Sequence, residues 1–232
     1  MKISLKLVGT LIIFTQLYAC AEALNEEAQL SSEEHSSQST ANTRLAGIEG
    51  KVEALLSQLT LEEKVSLVHA NAKFSIPAVQ RLGIHEMWMS DGPHTVRKEI
   101  ERHTWNEAGW EDDYSTYLPP LTAVAASWNP DIATLHGNVL GSEARHRRKD
   151  LILGPGVNMA RLPLNGRNFE YMGEDPYLAS RLAVAEVKAI QKNDVAATVK
   201  HYALNTQELS RTEVNAKPDE RTLREVYLPA FE

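Results

Sequence analysis

The sequence predicts an α/β fold built on a parallel sheet with helical crossovers, and three observations point there. From Ile84 onward, short apolar runs alternate with stretches of helical period, the pattern that links parallel strands through helices. Polar clusters follow the apolar runs, at Asp91, across Arg161 to Glu170, and at Lys200-His201. No glycine-rich phosphate fingerprint follows any run; the nearest candidate, Gly154-Pro155-Gly156, contains a proline that removes the needed amide. A (β/α)8 TIM-type barrel gathers its post-strand loops on one face. That convergence favours it over an open doubly wound sheet.

Composition narrows the setting. The 232 residues are 43% hydrophobic and 24% charged, which suits one sizeable core, or one domain and part of another. A net charge of −7 argues against a nucleic-acid surface. Residues 1–20 read as an export leader. Lys2 and Lys6 give a positive start, and the apolar run Leu7 to Tyr18 is shorter than the roughly 20 residues a membrane span needs. The leader ends Leu17-Tyr18-Ala19-Cys20, which resembles a bacterial lipobox with Cys20 as the lipidation site, although Tyr18 is bulkier than the usual small residue. Cys20 is the only cysteine, and lipid attachment accounts for a lone thiol in an exported chain. Ordinary signal-peptide cleavage nearby, with Cys20 incidental, is the alternative. The expectation is a periplasmic or outer-membrane lipoprotein. Residues 21–43 carry −5 and almost no large apolar residue after Leu24, so they read as an acidic flexible tether.

The folded part begins at residue 44. Ile48, Val52, Leu55, Leu56 and Leu59 mark one helical face. Thr60 and Glu63 form a capping box for a second helix, with Leu61, Val65 and Val68 as its packing face. Pro77 to Leu82 is a short helix, and Ile84 to Met89 a strand ending at Ser90-Asp91-Gly92-Pro93. Asp91 either holds ligand hydroxyls at that strand's end or only nucleates an Asx turn. Lys98 to Pro120 is long and irregular. Its Trp105, Trp110, Tyr114 and Tyr117 are either a sugar-stacking rim or loop anchors. Leu121 to Ser127 reads as a buried strand or its lead-in. Asn129-Pro130 starts a helix buried through Ile132, Leu135, Val139 and Leu140, and the basic run Arg145 to Lys149 suits its last turn.

Leu151-Ile152-Leu153 is the next strand, followed by a long polar loop containing Asn158, Arg161, Asn165, Arg167, Asn168, Glu170, Glu174 and Asp175. Asp175-Pro176 starts a helix with apolar positions at Leu178, Leu182, Val184, Ala185, Val187 and Ile190, closed by Asp194. Val195 to Val199 is a strand that delivers Lys200 and His201. A point-charge donor beside a directional donor or acceptor at a strand's mouth fits one polar ligand. Asn205 to Arg211 is a second polar loop, and Asp219 caps a last helix. No histidine pairs at metal-ligand spacing, so neither metal nor cofactor is expected.

Four segments carry a family resemblance: SDGPHTVR (90–97), LGPGVNMARLPLNGRNFEYMGEDPYL (153–178), VKHYALNTQELSR (199–211) and DERTLREVYLPAFE (219–232). Over residues 50–232 the chain resembles the N-terminal barrel domain of glycoside hydrolase family 3, the β-glucosidase and β-xylosidase type. The resemblance implies the N-terminal portion of a (β/α)8 barrel that hydrolyses β-linked glucosides or related sugars with retention. It makes Asp91, Arg167, Lys200 and His201 the ligands of the nonreducing sugar, with Arg161, Glu170, Glu174 and Arg211 in support. Thr95 departs from the glycine usual after the DGPH run. The family's nucleophile Asp and acid/base Glu match nothing here and are expected downstream, so the 232 residues alone are expected to be inactive and poorly soluble. An inactive sugar-binding remnant is the alternative. The β-N-acetylglucosaminidase branch fits less well, because Tyr-Ala-Leu-Asn follows Lys200-His201. Oligomeric state is left open.

Overall fold

The structure, a computed structural model, describes residues 45–232; the leader, residues 21–43 of the tether and Cys20 lie outside the described residues. The chain divides after Thr60 into two compact units. In the first, residues 45–56 form helix α1, with Ile48, Val52 and Leu56 exposed rather than packed.

The second unit opens with α2 (Leu61–Leu67). Its expected packing face is exposed, at 73% for Leu61 and 83% for Val68. This helix is held instead by an ion pair from Glu63 to Arg81 on the 3-10 turn Gln80–Leu82. Gly83 ends that turn at φ +69°, a left-handed value that glycine adopts without strain.

A four-stranded sheet has the order β1-β2-β3-β4. Strand β1 (Ser75–Ile76) pairs antiparallel with β2 (Met87–Asp91). The predicted Ile84 to Met89 strand starts later and runs on through Asp91. Strand β3 (Leu151–Leu153) lies parallel to β2, with Asp91 opposite Leu153, and β4 (Ala196–Ala197) lies parallel to β3. The β3–β4 pairing continues as a parallel bridge between Gly156 and Lys200. Asp91 and Lys200 therefore leave the parallel strands on either side of β3 at the same end.

Two crossovers cover the sheet. The first contains α3 (Leu121–Ala126) and α4 (Pro130–His146). Segment 121–127 is thus helical, not a strand. Leu121, Val124 and Ala125 are buried at helical spacing, and three alanines favour the helix; a short apolar run does not distinguish the two by pattern alone. Asn129 caps α4 by accepting from the Asp131 amide at 2.8 Å. The second crossover is α5 (Pro176–Gln191), capped by Asp175 on the Leu178 amide at 2.8 Å.

The buried faces of α4 and α5 differ from those expected. Helix α4 buries Ala133, His136, Gly137, Leu140, Gly141 and Ala144, while Ile132 and Leu135 are exposed. Helix α5 buries Ala179, Leu182, Ala183, Glu186, Ala189 and Ile190, and Val184 faces out. Close approach selects the small residues. A Cβ on Gly137 would lie 2.5 Å from the Glu186 carbonyl, and one on Gly141 2.9 Å from Ile190. His136 crosses this contact, with Nδ1 3.1 Å from Glu186 Oε1 and Nε2 donating to the Pro119 carbonyl at 3.3 Å. Burial holds the Glu186 carboxyl above the ordinary carboxylate range, against the opposing pull of His136.

Residues 92–120 wrap the edge of the sheet, and the basic run fastens them. Arg147 pairs with Asp113 and donates to the Arg97 carbonyl, and Lys149 pairs with Glu99. Arg145 and His146 alone belong to the last turn of α4. The predicted last helix is short: α6 (Glu220–Thr222), capped by Asp219, passes into π-helical and 3-10 turns that bury Tyr227.

Gly137→Ala forces apart two helices whose backbones already touch. Unfolding in urea is expected to show a loss of about 1–3 kcal/mol, with Gly47→Ala, where nothing lies within 4 Å, as the control.

Candidate active site

The site is assembled where β2, β3 and β4 end. Asp91 closes β2, and Gly92 follows at φ +117°, where a Cβ would lie 2.0 Å from the Thr95 carbonyl; only glycine turns the chain there. Lys200 follows β4 across from Gly156. The loop after β3 brings back Arg167 and the 3-10 turn Asn168–Glu170.

Charge pairing joins these three points. Lys200 Nζ donates to Asp91 Oδ1 at 2.8 Å and lies 3.6 Å from Glu170 Oε2. Arg167 Nε pairs with Glu170 Oε1. Glu170 is buried and bridges the two cations, as a buried carboxylate must be paired. Arg167 also reaches Glu208 at 3.4 Å, and Arg211 pairs with the other Glu208 oxygen at 3.2 Å. The Asp91 side chain stays 40% exposed, with Oδ1 taking both Lys200 and the Gly92 amide.

His201 completes the cluster. Its Nε2 is 3.0 Å from Arg167 Nη2, and its Nδ1 is 3.1 Å from the Tyr171 hydroxyl. Burial, with the Arg167 and Lys200 charges, pulls His201 down to about 4, so the ring is neutral near pH 7. Burial lifts the Tyr171 phenol to about 12. For Asp91, burial pushes upward, but the Lys200 charge and hydrogen bond prevail and the carboxyl is held below its usual range.

All four expected sugar ligands, Asp91, Arg167, Lys200 and His201, thus stand together. Of the expected supports, Glu170 is central and Arg211 acts through Glu208. Arg161 and Glu174 are exposed, and neither joins the hydrogen-bonded cluster. Sequence reasoning gave no role to Tyr171, Asn205 or Glu208, although NFEYM and NTQEL were both in view. Asn158 and Asn165 donate to the Asn205 carbonyl, at 3.0 and 3.4 Å, and so tie the two polar loops together. Trp105 packs edge-on against Phe74 and Trp110 lies near Lys149, so these two anchor the wrapping loop. Tyr117 and Phe169 instead flank the buried His94 ring, each with centroids 5.5 Å away. A cavity of about 530 Å³, lined by Trp88, Trp110, Ile100 and Lys149, lies between β2, the loop of residues 92–120 and the residues that lead into β3, and contains none of the charged cluster. We place the site at the charged cluster, where the chemistry converges. Among the described residues, no group of three or more His, Cys, Asp or Glu is arranged to hold a metal ion.

Comparison with known proteins identifies the family. The Glycosyl hydrolase family 3 N terminal domain model matches residues 103–232. The chain belongs to glycosyl hydrolase family 3. It is 58% identical over 184 residues to Beta-glucosidase BoGH3A of Bacteroides ovatus, covering 79% of this chain and 25% of that protein. It is 40% identical to an exo-alpha-(1->6)-L-arabinopyranosidase of Bifidobacterium longum, over 76% of this chain and 23% of that one. The β-glucosidase of Kluyveromyces marxianus in complex with glucose superposes with a TM-score of 0.70 at 38% identity, over 78% of this chain and 21% of the other. The chain therefore spans about a quarter of the length of these relatives. Its α/β fold is the N-terminal portion of the family's TIM-type barrel.

The His201 shift sets a pH dependence. Its folded value lies below the unfolded one, so its contribution to stability is present above about pH 6.5 and is lost as pH falls towards about 4. Thermal melts across that window are expected to fall more steeply for the unaltered chain than for His201→Asn. Parallel profiles would contradict the buried, neutral ring.

Proposed function

We propose that this chain forms the sugar-holding part of a retaining β-glucosidase. The observation that carries the reading is the convergence of Asp91, Lys200, Arg167 and His201 at one end of a parallel sheet, with Asp91 left partly open to solvent. Such a set offers hydroxyls charged donors beside carboxylate and imidazole acceptors, the contacts that strengthen as an oxocarbenium-like transition state develops. The names of the relatives support a β-glucoside substrate. Arabinopyranosides are a second class, favoured by the Bifidobacterium relative.

The cluster holds sugar rather than cleaving it. Retention uses two carboxyl groups about 5–5.5 Å apart, one of them acting as acid and base. Here Asp91, Glu170 and Glu208 are each committed to a cation. We assign the nucleophile and the acid/base to none of them and expect both downstream.

The purified 232-residue chain is expected to bind D-glucose without hydrolysing an aryl β-glucoside. Lys200→Met and Arg167→Met are each expected to weaken binding by about tenfold or more in a calorimetric titration. Turnover by the chain would sink the assignment of the catalytic pair, and absence of glucose binding would sink the sugar site.

We further propose that Cys20 carries a lipid that anchors the protein to a bacterial membrane. In cells fed a labelled fatty acid, the chain is expected to take up label and Cys20→Ser to take up none. An unlabelled wild-type chain would refute the anchor.

A further inference from the structure

Arginine accepts no hydrogen bond, and a carboxylate paired with two arginines only accepts. Those limits set the direction of a closed ring of five side chains at the site. Arg167 Nη2 stands 3.0 Å from His201 Nε2, so Nε2 is the acceptor and the neutral ring keeps its proton on Nδ1. That N–H donates to the Tyr171 hydroxyl oxygen at 3.1 Å. Asn205 Nδ2 donates to the same oxygen at 2.7 Å and to Glu208 Oε1 at 3.1 Å. Arg167 Nη1 closes the ring on Glu208 Oε1 at 3.4 Å. The Tyr171 side chain is fully buried and meets His201 edge to face, with centroids 5.9 Å apart. Tyr171 therefore accepts twice in this arrangement, but its hydroxyl can donate or accept and would suit either tautomer; a proton moved to Nε2 would face the guanidinium, so Arg167 is the group that discriminates.

We propose that Arg167, held by Glu170 and Glu208, is the residue that fixes His201 in its Nδ1–H form. His201 then offers a sugar hydroxyl a lone pair, shared with Arg167, and no N–H donor. The consequence is a division of roles. Lys200 and Arg167 are the donors of the site, and Asp91 and His201 are its acceptors. The sugar half of this inference rests on the reading of the cluster as a sugar site; the tautomer does not.

The test is a long-range proton–nitrogen spectrum of the imidazoles in the full 232-residue chain, with His201 assigned by its disappearance in His201→Gln. The expected result is a neutral His201 with its proton on Nδ1 and a bare Nε2. A proton on Nε2 overturns the proposal. Arg167→Met removes the donor that faces Nε2 and leaves Tyr171 in place. It is expected to give a mixture of tautomers, because the Tyr171 hydroxyl can donate or accept at Nδ1. An unchanged spectrum would overturn the role of Arg167, because a side chain that only fills space leaves the tautomer alone. If Arg167→Met does not fold, the tautomer of the unaltered chain still decides. Glucose separates the two readings. Movement of the His201 signals on titration supports the sugar half, and their constancy with Nδ1–H retained overturns that half alone.

Discussion

A buried carboxylate between two cations is the constraint on which the site depends. Glu170 is almost completely removed from solvent and meets Arg167 on one oxygen and Lys200 on the other. Stripping one partner from such a buried pair costs about 3–5 kcal/mol, because the remaining charge is left without compensation. The arrangement therefore holds two loops in one place, the one that follows β3 and the one that follows β4. Asp91 and His201 are then recruited to cations whose positions are already set. The donors of the site are paired before any ligand arrives, and such preorganisation lowers the ordering cost of binding.

That charge arrangement needs parallel strands in fixed register. Asp91 stands opposite Leu153, and Lys200 opposite Gly156. The register is backed by two helices brought into backbone contact at Gly137 and Gly141. Larger residues there would lift α4 from α5 and with it the sheet beneath. Small residues in the helical crossovers and charged residues in the loops are thus parts of one design, packing on one side and recognition on the other.

Much of this was legible in the chain. Asn129-Pro130 and Asp175-Pro176 marked two helix starts, because a capping oxygen followed by proline suits little else. Leu151-Ile152-Leu153 read as a strand from its apolar run and its glycine–proline stop. The errors share a cause. Segment 121–127 was too short for period to separate helix from strand. The faces of α4 and α5 were read from the largest apolar residues, whereas proximity between backbones selected alanine and glycine. The basic run 145–149 looked like a helix end, because its partners Glu99 and Asp113 lie more than thirty residues away in an irregular loop.

The sequence by itself determined the alternation of strands and helices, the family and the four side chains that meet at the site. Each depends on local pattern or on motif, and both are written along the chain. Only the tertiary structure decided that Glu170 bridges two cations, that Arg161 and Glu174 stand apart, and that His201 is bare at Nε2. Those facts depend on which side chains meet between loops about thirty residues apart, Glu170 with Lys200 and Arg167 with His201, and on hydrogen-bond direction, which one-dimensional spacing does not encode.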